Sequence, residues 1–283
     1  MIMSTKESRR VVIVTGGASG IGLGMVNYFG SKGDHVAVFD IHAEAPAGLL
    51  DELTTTHTKA NFSYYQCDVS DWDSVSSAFK GLYTTCGHID VVMGNAGISR
   101  EESLIPTTIP TISEPFEPTK PKLRTMDVNM TGALYTTKLA IHYLLLNTPS
   151  PTTGSRGSIV LTASNAGIYA FPVAPLYAAC KAALVNLTRS LGPALLPHHI
   201  QINALAPAVL ETNIAPSKDL FQGMKMTPMS TLVMAVDGLV EDVKRTAQIV
   251  EVHGDKATVR EVYGYVDEDS EFNLKRFWTL GYA

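Results

Sequence analysis

Four short runs in the first third of the chain, "VVIVT" (11–15), "HVAVFD" (35–40), "FSYYQCD" (62–68) and "IDVVMGN" (89–95), are rich in β-branched and aromatic residues, and a longer stretch with helical spacing follows each. The runs are apolar at consecutive positions instead of alternating with polar ones. Strands of that kind must be covered on both faces. Strands alternating with helices meet the need through right-handed crossovers, which lay helices on both sides of a parallel sheet. The rhythm continues through a helix over about 120–146, "GSIVLTA" (157–163), a helix over about 175–196, "IQINALA" (200–206) and a last strand at "AQIVEVH" (247–253). The expected fold is α/β: a single-domain, Rossmann-type, doubly wound parallel sheet over 1–283, with no internal repeat and no linker. Residues 98–121 interrupt it. Pro106, Pro110, Pro115, Pro118 and Pro121 exclude a helix or central strand there and predict an excursion over the sheet edge. "NTPSPTTGSRG" (147–157) reads as a turn-rich loop.

Composition narrows the function classes. The 283 residues are 45% hydrophobic and 17% charged, a globular balance, and a formal net charge of -5 offers no basic footprint for nucleic acid or an anionic lipid surface. Arg9 and Arg10 read as the solvated lead-in to the first strand. Cys67, Cys86 and Cys180 are odd in number and form no C-x-x-C, which supports neither a disulfide framework nor a zinc site. No metal centre is expected; a reducing, cytoplasmic setting is. "MIMSTKESRR" lacks the apolar core of a signal peptide, and nowhere do 18 apolar residues run together, so no membrane span is expected.

"TGGASGIG" sets Gly16, Gly20 and Gly22 directly after the first strand and at the start of a helix. Glycine lets the backbone turn sharply and a pyrophosphate approach, while a helix N-terminus offers unpaired N–H groups and a favourable dipole. The spacing is G-x-x-x-G-x-G and not the G-x-G-x-x-G fingerprint; a Gly-rich turn without ligand is the competing reading. Asp40 ends the second strand, where a carboxylate can accept hydrogen bonds from an adenosine ribose and would repel a 2′-phosphate. No Arg or Lys stands in the turn or just after Asp40, which favours NAD over NADP. Asp68 either bonds the adenine edge or caps the next helix.

The pattern Y-x-x-x-K occurs twice, as Tyr28 and Lys32 in "YFGSK" and as Tyr177 and Lys181 in "YAACK". A spacing of four puts each pair on one helical face, so position must choose between them. In a parallel sheet the ligand crevice lies outside the carboxyl ends of the strands. Ser164, just past the fifth strand and 13 residues before Tyr177, is delivered there; Tyr28, two turns into the first helix, is not. To serve as a base near neutrality a phenol must lose roughly 3 pKa units, about 4 kcal/mol. One ammonium at about 4 Å, in an effective dielectric of about 20, contributes about that much. Cys180 reads as a packed residue on the inner side of its helix and not as an activated nucleophile.

Together "TGGASGIG", "NAG" (95–97), Asn129 in "MDVNMTG", Ser164 and "YAACK" resemble the classical short-chain dehydrogenase/reductase family in order and spacing, over about residues 10–212. The C-terminal layout resembles the hydroxyprostaglandin dehydrogenase and insect-type alcohol dehydrogenase branch. The resemblance implies a seven-stranded parallel sheet with NAD(P) bound across it. It implies Tyr177 as general acid/base, Lys181 as the group that lowers its pKa and holds the nicotinamide ribose, Ser164 as a hydrogen-bond partner of the substrate oxygen, and Asn129 as the anchor of a relay water. It also implies a cofactor site of Gly16, Ser19, Gly20, Ile21, Gly22, Asp40, Asp68, Val69, Asn95, Ala96, Gly97, Pro207 and Thr212, with Asn95 steadying the central strand and Thr212 touching the nicotinamide carboxamide. Gly94 departs from the pattern, where many members carry a second Asn, as does Ala208, where Pro-Gly is usual.

Substrate identity is expected in the segments after strands five and six, 165–176 and 207–229, the second opening a lid region over 207–245. Phe171, Val173, Phe221, Met224, Met226 and Met229 are available to line an apolar pocket. A hydrophobic secondary alcohol or its ketone is the expected substrate, with an NADPH-linked ketoreductase and a non-catalytic dinucleotide sensor as competing readings. The tail, 263–283, carries Tyr263, Tyr265, Phe272, Phe277, Trp278 and Tyr282. So much aromatic surface is expected to pack on its own subunit or a neighbour's. A homodimer is expected, with a tetramer behind it.

Overall fold

The computed structural model describes residues 9–105, 117, 119–212, 214 and 218–281. Among these, the strands are β1 (Val11–Thr15), β2 (His35–Asp40), β3 (Asn61–Gln66), β4 (Val91–Gly94), β5 (Gly157–Thr162), β6 (Ile200–Pro207), β7 (Ile249–His253) and β8 (Lys256–Val259). They form one sheet in the order β3-β2-β1-β4-β5-β6-β7-β8, parallel from β3 to β7. The helices are α1 (Gly20–Lys32), α2 (Leu49–Thr56), α3 (Trp72–Cys86), α4 (Arg124–Met126), α5 (Gly132–Leu146), α6 (Pro175–Leu195), α7 (Met229–Val240) and α8 (Glu268–Leu280).

Consecutive residues of the central strands feed opposite cores, as their unbroken apolar runs require. Val11 and Ile13 pack with Phe79 of α3, Leu144 of α5 and Leu184 of α6. Val12 and Val14 pack with Phe29 of α1, Leu53 of α2 and Leu232 of α7. Burying a side chain the size of Phe29 or Phe79 contributes about 2–3 kcal/mol each, so the two layers hold the sheet from both sides.

Several expectations change. The sheet gains an eighth strand: β8 runs antiparallel to β7, joined by a two-residue turn in which Gly254 has φ 52°. "HGDK" carries that hairpin signal, a Gly-Asp pair between two short runs. The helix expected from about 120 starts at Arg124 and passes through a π-helical segment, Asp127–Thr131, before α5. Pro106, Pro110, Pro115 and Pro118 of the excursion lie outside the described residues, as does Tyr282 of the tail. Over its described length the tail is exposed: α8 buries none of its residues within this chain, which leaves packing on a neighbour as the other half of that expectation. The basic lead-in is also more than solvated. The Arg10 guanidinium reaches Asp34 at 2.9 Å and Glu241 at 2.8 Å, tying the start of β1 to the turn before β2 and to the end of α7.

Gly94 has a packing reason. A Cβ there would lie 2.7 Å from Leu161 Cδ2, and Leu161 is fully buried. Gly94→Ala is expected to lower the free energy of unfolding in urea by about 1–3 kcal/mol through overpacking; an unchanged midpoint would show that Leu161 has room to turn aside.

Candidate active site

The strand order reverses between β1 and β4, so the connections leaving their carboxyl ends run to opposite faces and open a crevice. Gly16 to Gly22 line it after β1, Asp40 ends β2, Asp68 and Val69 follow β3, Asn95 to Gly97 follow β4, Ser164 follows β5, and Pro207 ends β6 with Thr212 beyond it. The Gly-rich turn is compact. Gly16 has φ 63° and Gly20 φ 53°. A Cβ at Gly22 would collide with the Gly16 carbonyl oxygen and stand 2.8 Å from Asn95 Nδ2. Ser19 takes the N-cap position of α1 in extended conformation without a side-chain cap bond, and Ile21 packs its side chain toward the α1 core. The first N–H groups of α1 therefore have no side-chain cap, a donor set that fits a pyrophosphate. Thr212 closes over the turn, 3.4 Å from where a Gly20 Cβ would stand.

At the far end of the crevice Asp40 Oδ2 accepts from the Ala18 N–H at 3.1 Å, and Oδ1 pairs with His42 Nδ1 at 2.8 Å. Sequence reasoning found no Arg or Lys here and passed over this imidazole. Asp68 Oδ1 accepts from the Ser70 N–H and hydroxyl at 3.0 and 2.6 Å, and Oδ2 from Arg124 at 3.2 Å. Burial works against its charge, yet the Ser70 and Arg124 bonds hold the carboxyl below its usual range. Asp68 is no helix cap: Asp71 caps α3, accepting from the Ser74 N–H at 2.7 Å.

Asn95 joins three strands. Its N–H donates to Thr15 Oγ1 at 2.9 Å, its Nδ2 to the Thr15 carbonyl at 3.0 Å, and its Oδ1 accepts from Thr162 Oγ1 at 3.1 Å. The Ala96 N–H also reaches Thr15 Oγ1, at 3.0 Å. Thr15 and Thr162 were not singled out from sequence, although each is the polar residue that ends an apolar run. Asn129 sits in the π-helical segment, 1% exposed. Both ends of its amide are committed to Ile98, whose carbonyl accepts and whose N–H donates at 2.8 Å. A Cβ on Gly97 would stand 3.3 Å from Asn129 Oδ1 and 3.4 Å from Lys181 Nζ, so this glycine lets the amide and the ammonium come together.

Ser164, Tyr177 and Lys181 meet at the inner start of α6. Ser164 Oγ accepts from the Ala166 N–H at 3.1 Å. Lys181 Nζ donates to the Thr162 carbonyl at 2.6 Å and lies 5.5 Å from the centre of the Tyr177 ring. Lys181 was expected to draw the phenol down, but burial governs both groups. It pushes the Tyr177 phenol above its usual value, with the Ser164 hydroxyl offsetting part of the rise. It pulls the fully enclosed ammonium from 10.5 down to about 8. Burial likewise raises the Cys180 thiol, which faces the Thr125 carbonyl and is 1% exposed. The other pair, Tyr28 and Lys32, is held by Asp237, at 2.6 Å from the phenol and 2.7 Å from the ammonium.

The unfolded chain holds the Lys181 proton at the ordinary 10.5 and the folded chain at about 8. Protonation in that window favours unfolding, so stability is expected to rise as pH climbs from 8 towards 10.5. Lys181→Met keeps the stem and loses the charge. It is expected to flatten this rise and to add about 1–2 kcal/mol to the unfolding free energy in urea at pH 7, the lost bond to Thr162 offsetting part of the relieved desolvation. A Met variant that is less stable and keeps the parent pH dependence would contradict this.

The chain is 31% identical over 280 residues to the short-chain dehydrogenase/reductase prx4 of Penicillium roqueforti, a match covering 96% of this chain and 74% of that protein. It is 31% identical over 244 residues to the 2-dehydro-3-deoxy-L-rhamnonate dehydrogenase (NAD(+)) of Sphingomonas sp. (strain SKA58), covering 85% and 87%. A short-chain type dehydrogenase/reductase from Mycobacterium marinum shares its fold, with a TM-score of 0.73 over 87% of this chain and 95% of that one at 23% identity. Residues 10–222 match the short chain dehydrogenase family: the chain belongs to it, an oxidoreductase acting on CH–OH groups in a family that binds NAD(P).

Proposed function

We propose that the protein interconverts a hydrophobic secondary alcohol and its ketone, with NAD as the cofactor and Tyr177 as the general acid/base. The observation that carries this reading is the meeting of Ser164, Tyr177 and Lys181 at the carboxyl end of β5, beside the Gly-rich turn. A nicotinamide dinucleotide in that turn supplies the hydride acceptor in one direction and the hydride donor in the other. In oxidation Tyr177 takes the hydroxyl proton, and in reduction it returns one to the carbonyl oxygen. The Ser164 hydroxyl holds that oxygen beside the phenol. Lys181, fixed by the Thr162 carbonyl, holds the nicotinamide ribose and supplies a cation that favours the phenolate when the proton is in transit. With its amide committed to Ile98, Asn129 would offer a relay water its main-chain carbonyl. The Gly16–Gly22 turn, Asn95, Ala96, Gly97, Pro207 and Thr212 hold the cofactor along the crevice, with Asp68 and Val69 at its adenine end.

Asp40 supports NAD. Its buried carboxylate ends β2 beside the Gly-rich turn, where it would accept from a ribose diol and repel a phosphate. An apolar substrate is supported by Phe171, its ring 6.4 Å from that of Tyr177, and by the exposed Val173, Met224 and Met226 on the segments after β5 and β6. Within the lid region α7 is core, with Leu232, Val236 and Leu239 buried, so substrate contact falls to the segment ahead of it. The C-terminal layout keeps the hydroxyprostaglandin and insect-type alcohol dehydrogenase branch as our nearest placement. A homodimer is supported by the apolar groove that Met130, Leu134, Ala183 and Leu187 form between α5 and α6. No helix of the described residues is long and apolar enough to cross a membrane, and a reducing, cytoplasmic setting remains part of the proposal.

A panel of secondary alcohols and ketones assayed with NAD and with NADP tests the reading, which fails on substrate if only charged sugars turn over. Tyr177→Phe is expected to lower turnover about 10²–10⁴-fold while cofactor affinity, followed by fluorescence titration, stays within about threefold. Asp40→Ala is expected to bring the NAD and NADP efficiencies together. Equal efficiency in the parent protein would defeat the NAD assignment, and a preference for NADP would favour the NADPH-linked ketoreductase instead.

A further inference from the structure

Helix α6 starts without a cap of its own. Ala174, its N-cap residue, makes no side-chain bond, Pro175 needs none, and its first turn holds no acidic residue. The next two N–H groups nevertheless have a partner. Both donate to the carboxylate of Glu101, that of Leu176 to Oε2 at 3.0 Å and that of Tyr177 to Oε1. Glu101 belongs to the segment after β4, and the residues just ahead of it there are fastened. Ile98 is gripped by the Asn129 amide. The Arg100 N–H and carbonyl both bond the hydroxyl of Thr125, at 3.3 and 2.7 Å, and Thr125 is fully buried. With alternate residues tied to the α4–π segment, the half-buried carboxylate of Glu101 is presented to α6 at a fixed point.

We propose that Glu101 is a positioning residue for the phenol: it grips the first turn of α6 through the Tyr177 N–H, and its charge on the positive end of that helix tunes how readily the phenol ionises. The proposal rests on the reading of Tyr177 as the acid/base group. Around the phenol stand Lys181 and Cys180 from α6 and the Ser164 hydroxyl from the end of β5; Glu101, from the segment after β4, meets the backbone at the start of the same helix. The helix N-terminus favours an anion near its start, and a second carboxylate there opposes one. Losing the Glu101 charge therefore favours the phenolate.

Glu101→Gln keeps the length and drops the charge; Glu101→Ala removes the grip as well. In protein labelled with ¹³C at the tyrosine ζ carbon, the Tyr177 signal is identified by its loss in Tyr177→Phe. Its titration midpoint is expected to fall by about half a unit to one unit in Glu101→Gln. In Glu101→Ala the Tyr177 amide is expected to exchange with solvent about tenfold faster or more, while the amides of Val185 and Thr188 keep their protection. A midpoint that stays or rises, or a Tyr177 amide as protected as before, overturns the proposal. Turnover separates the two readings. An active Tyr177→Phe sinks the acid/base role, and an inactive one beside unaffected Glu101 variants sinks the positioning role alone.

Discussion

The carboxyl ends of β1, β4 and β5 are joined by side chains as well as by backbone, and the site hangs from that junction. Thr15 accepts from the Asn95 and Ala96 N–H groups, Asn95 binds the Thr15 carbonyl and accepts from Thr162, and the Thr162 carbonyl accepts from Lys181. The path runs unbroken from the Gly-rich turn to the ammonium. Parallel strands alone would fix their own spacing but not the stagger of what projects beyond them. A buried polar network does fix it, because each unmade bond would leave a desolvated group without a partner. The crevice is therefore a property of three strand ends held in register, with helices α1 and α6 mounted on them.

The electrostatics of the site work against the stability of the fold. Lys181 is an ammonium almost out of reach of water, with one carbonyl among the described residues as its hydrogen-bond partner, and Tyr177 is a phenol pushed towards its neutral form by the same enclosure. Neither group would be chosen for packing. Their presence side by side is the strained element around which the surroundings are rigid: a glycine at 97 that makes room, an amide at 129 that anchors the neighbouring segment, and a strand end that orients the amine. A site of this kind is expected where local consistency gives way to function.

What could be read in advance was what depends on neighbours in sequence. Apolar runs covered on both faces identified the parallel strands, and glycines directly after the first run identified the turn at its end. The convergence of residues 164, 177 and 181 follows once the strand ends are known to share one side. What escaped depends on partners far along the chain. Glu101 caps a helix 75 residues later, and nothing in "SREE" announces that. His42 follows Asp40 by two positions, yet its bond depends on how the connection curls. The π-helical segment that carries Asn129 to Ile98 has no propensity signature. The antiparallel β8 was legible in its Gly-Asp turn and was missed because the parallel rhythm had already accounted for the sheet. The exposure of α8 could not be read from its aromatics, which argue for burial without saying against what.

The two Tyr-Lys pairs carry the same argument to its end. Both have the same spacing, and burial raises both phenols. At Tyr28 the hydroxyl donates to the Asp237 carboxylate, which also takes Lys32. An anion there holds the phenol proton in place and neutralises the cation that would help release it. At Tyr177 no carboxylate among the described residues faces the hydroxyl. Ser164 favours the phenolate, and the ammonium is turned to a neutral carbonyl and keeps its charge unneutralised. Glu101, the nearby carboxylate, is bound to the backbone of the same helix turn instead of to the phenol oxygen. On the acid–base reading we propose, a four-residue spacing acquires that use only where the acceptors around it leave the proton free to move, and that is decided by the strand ends.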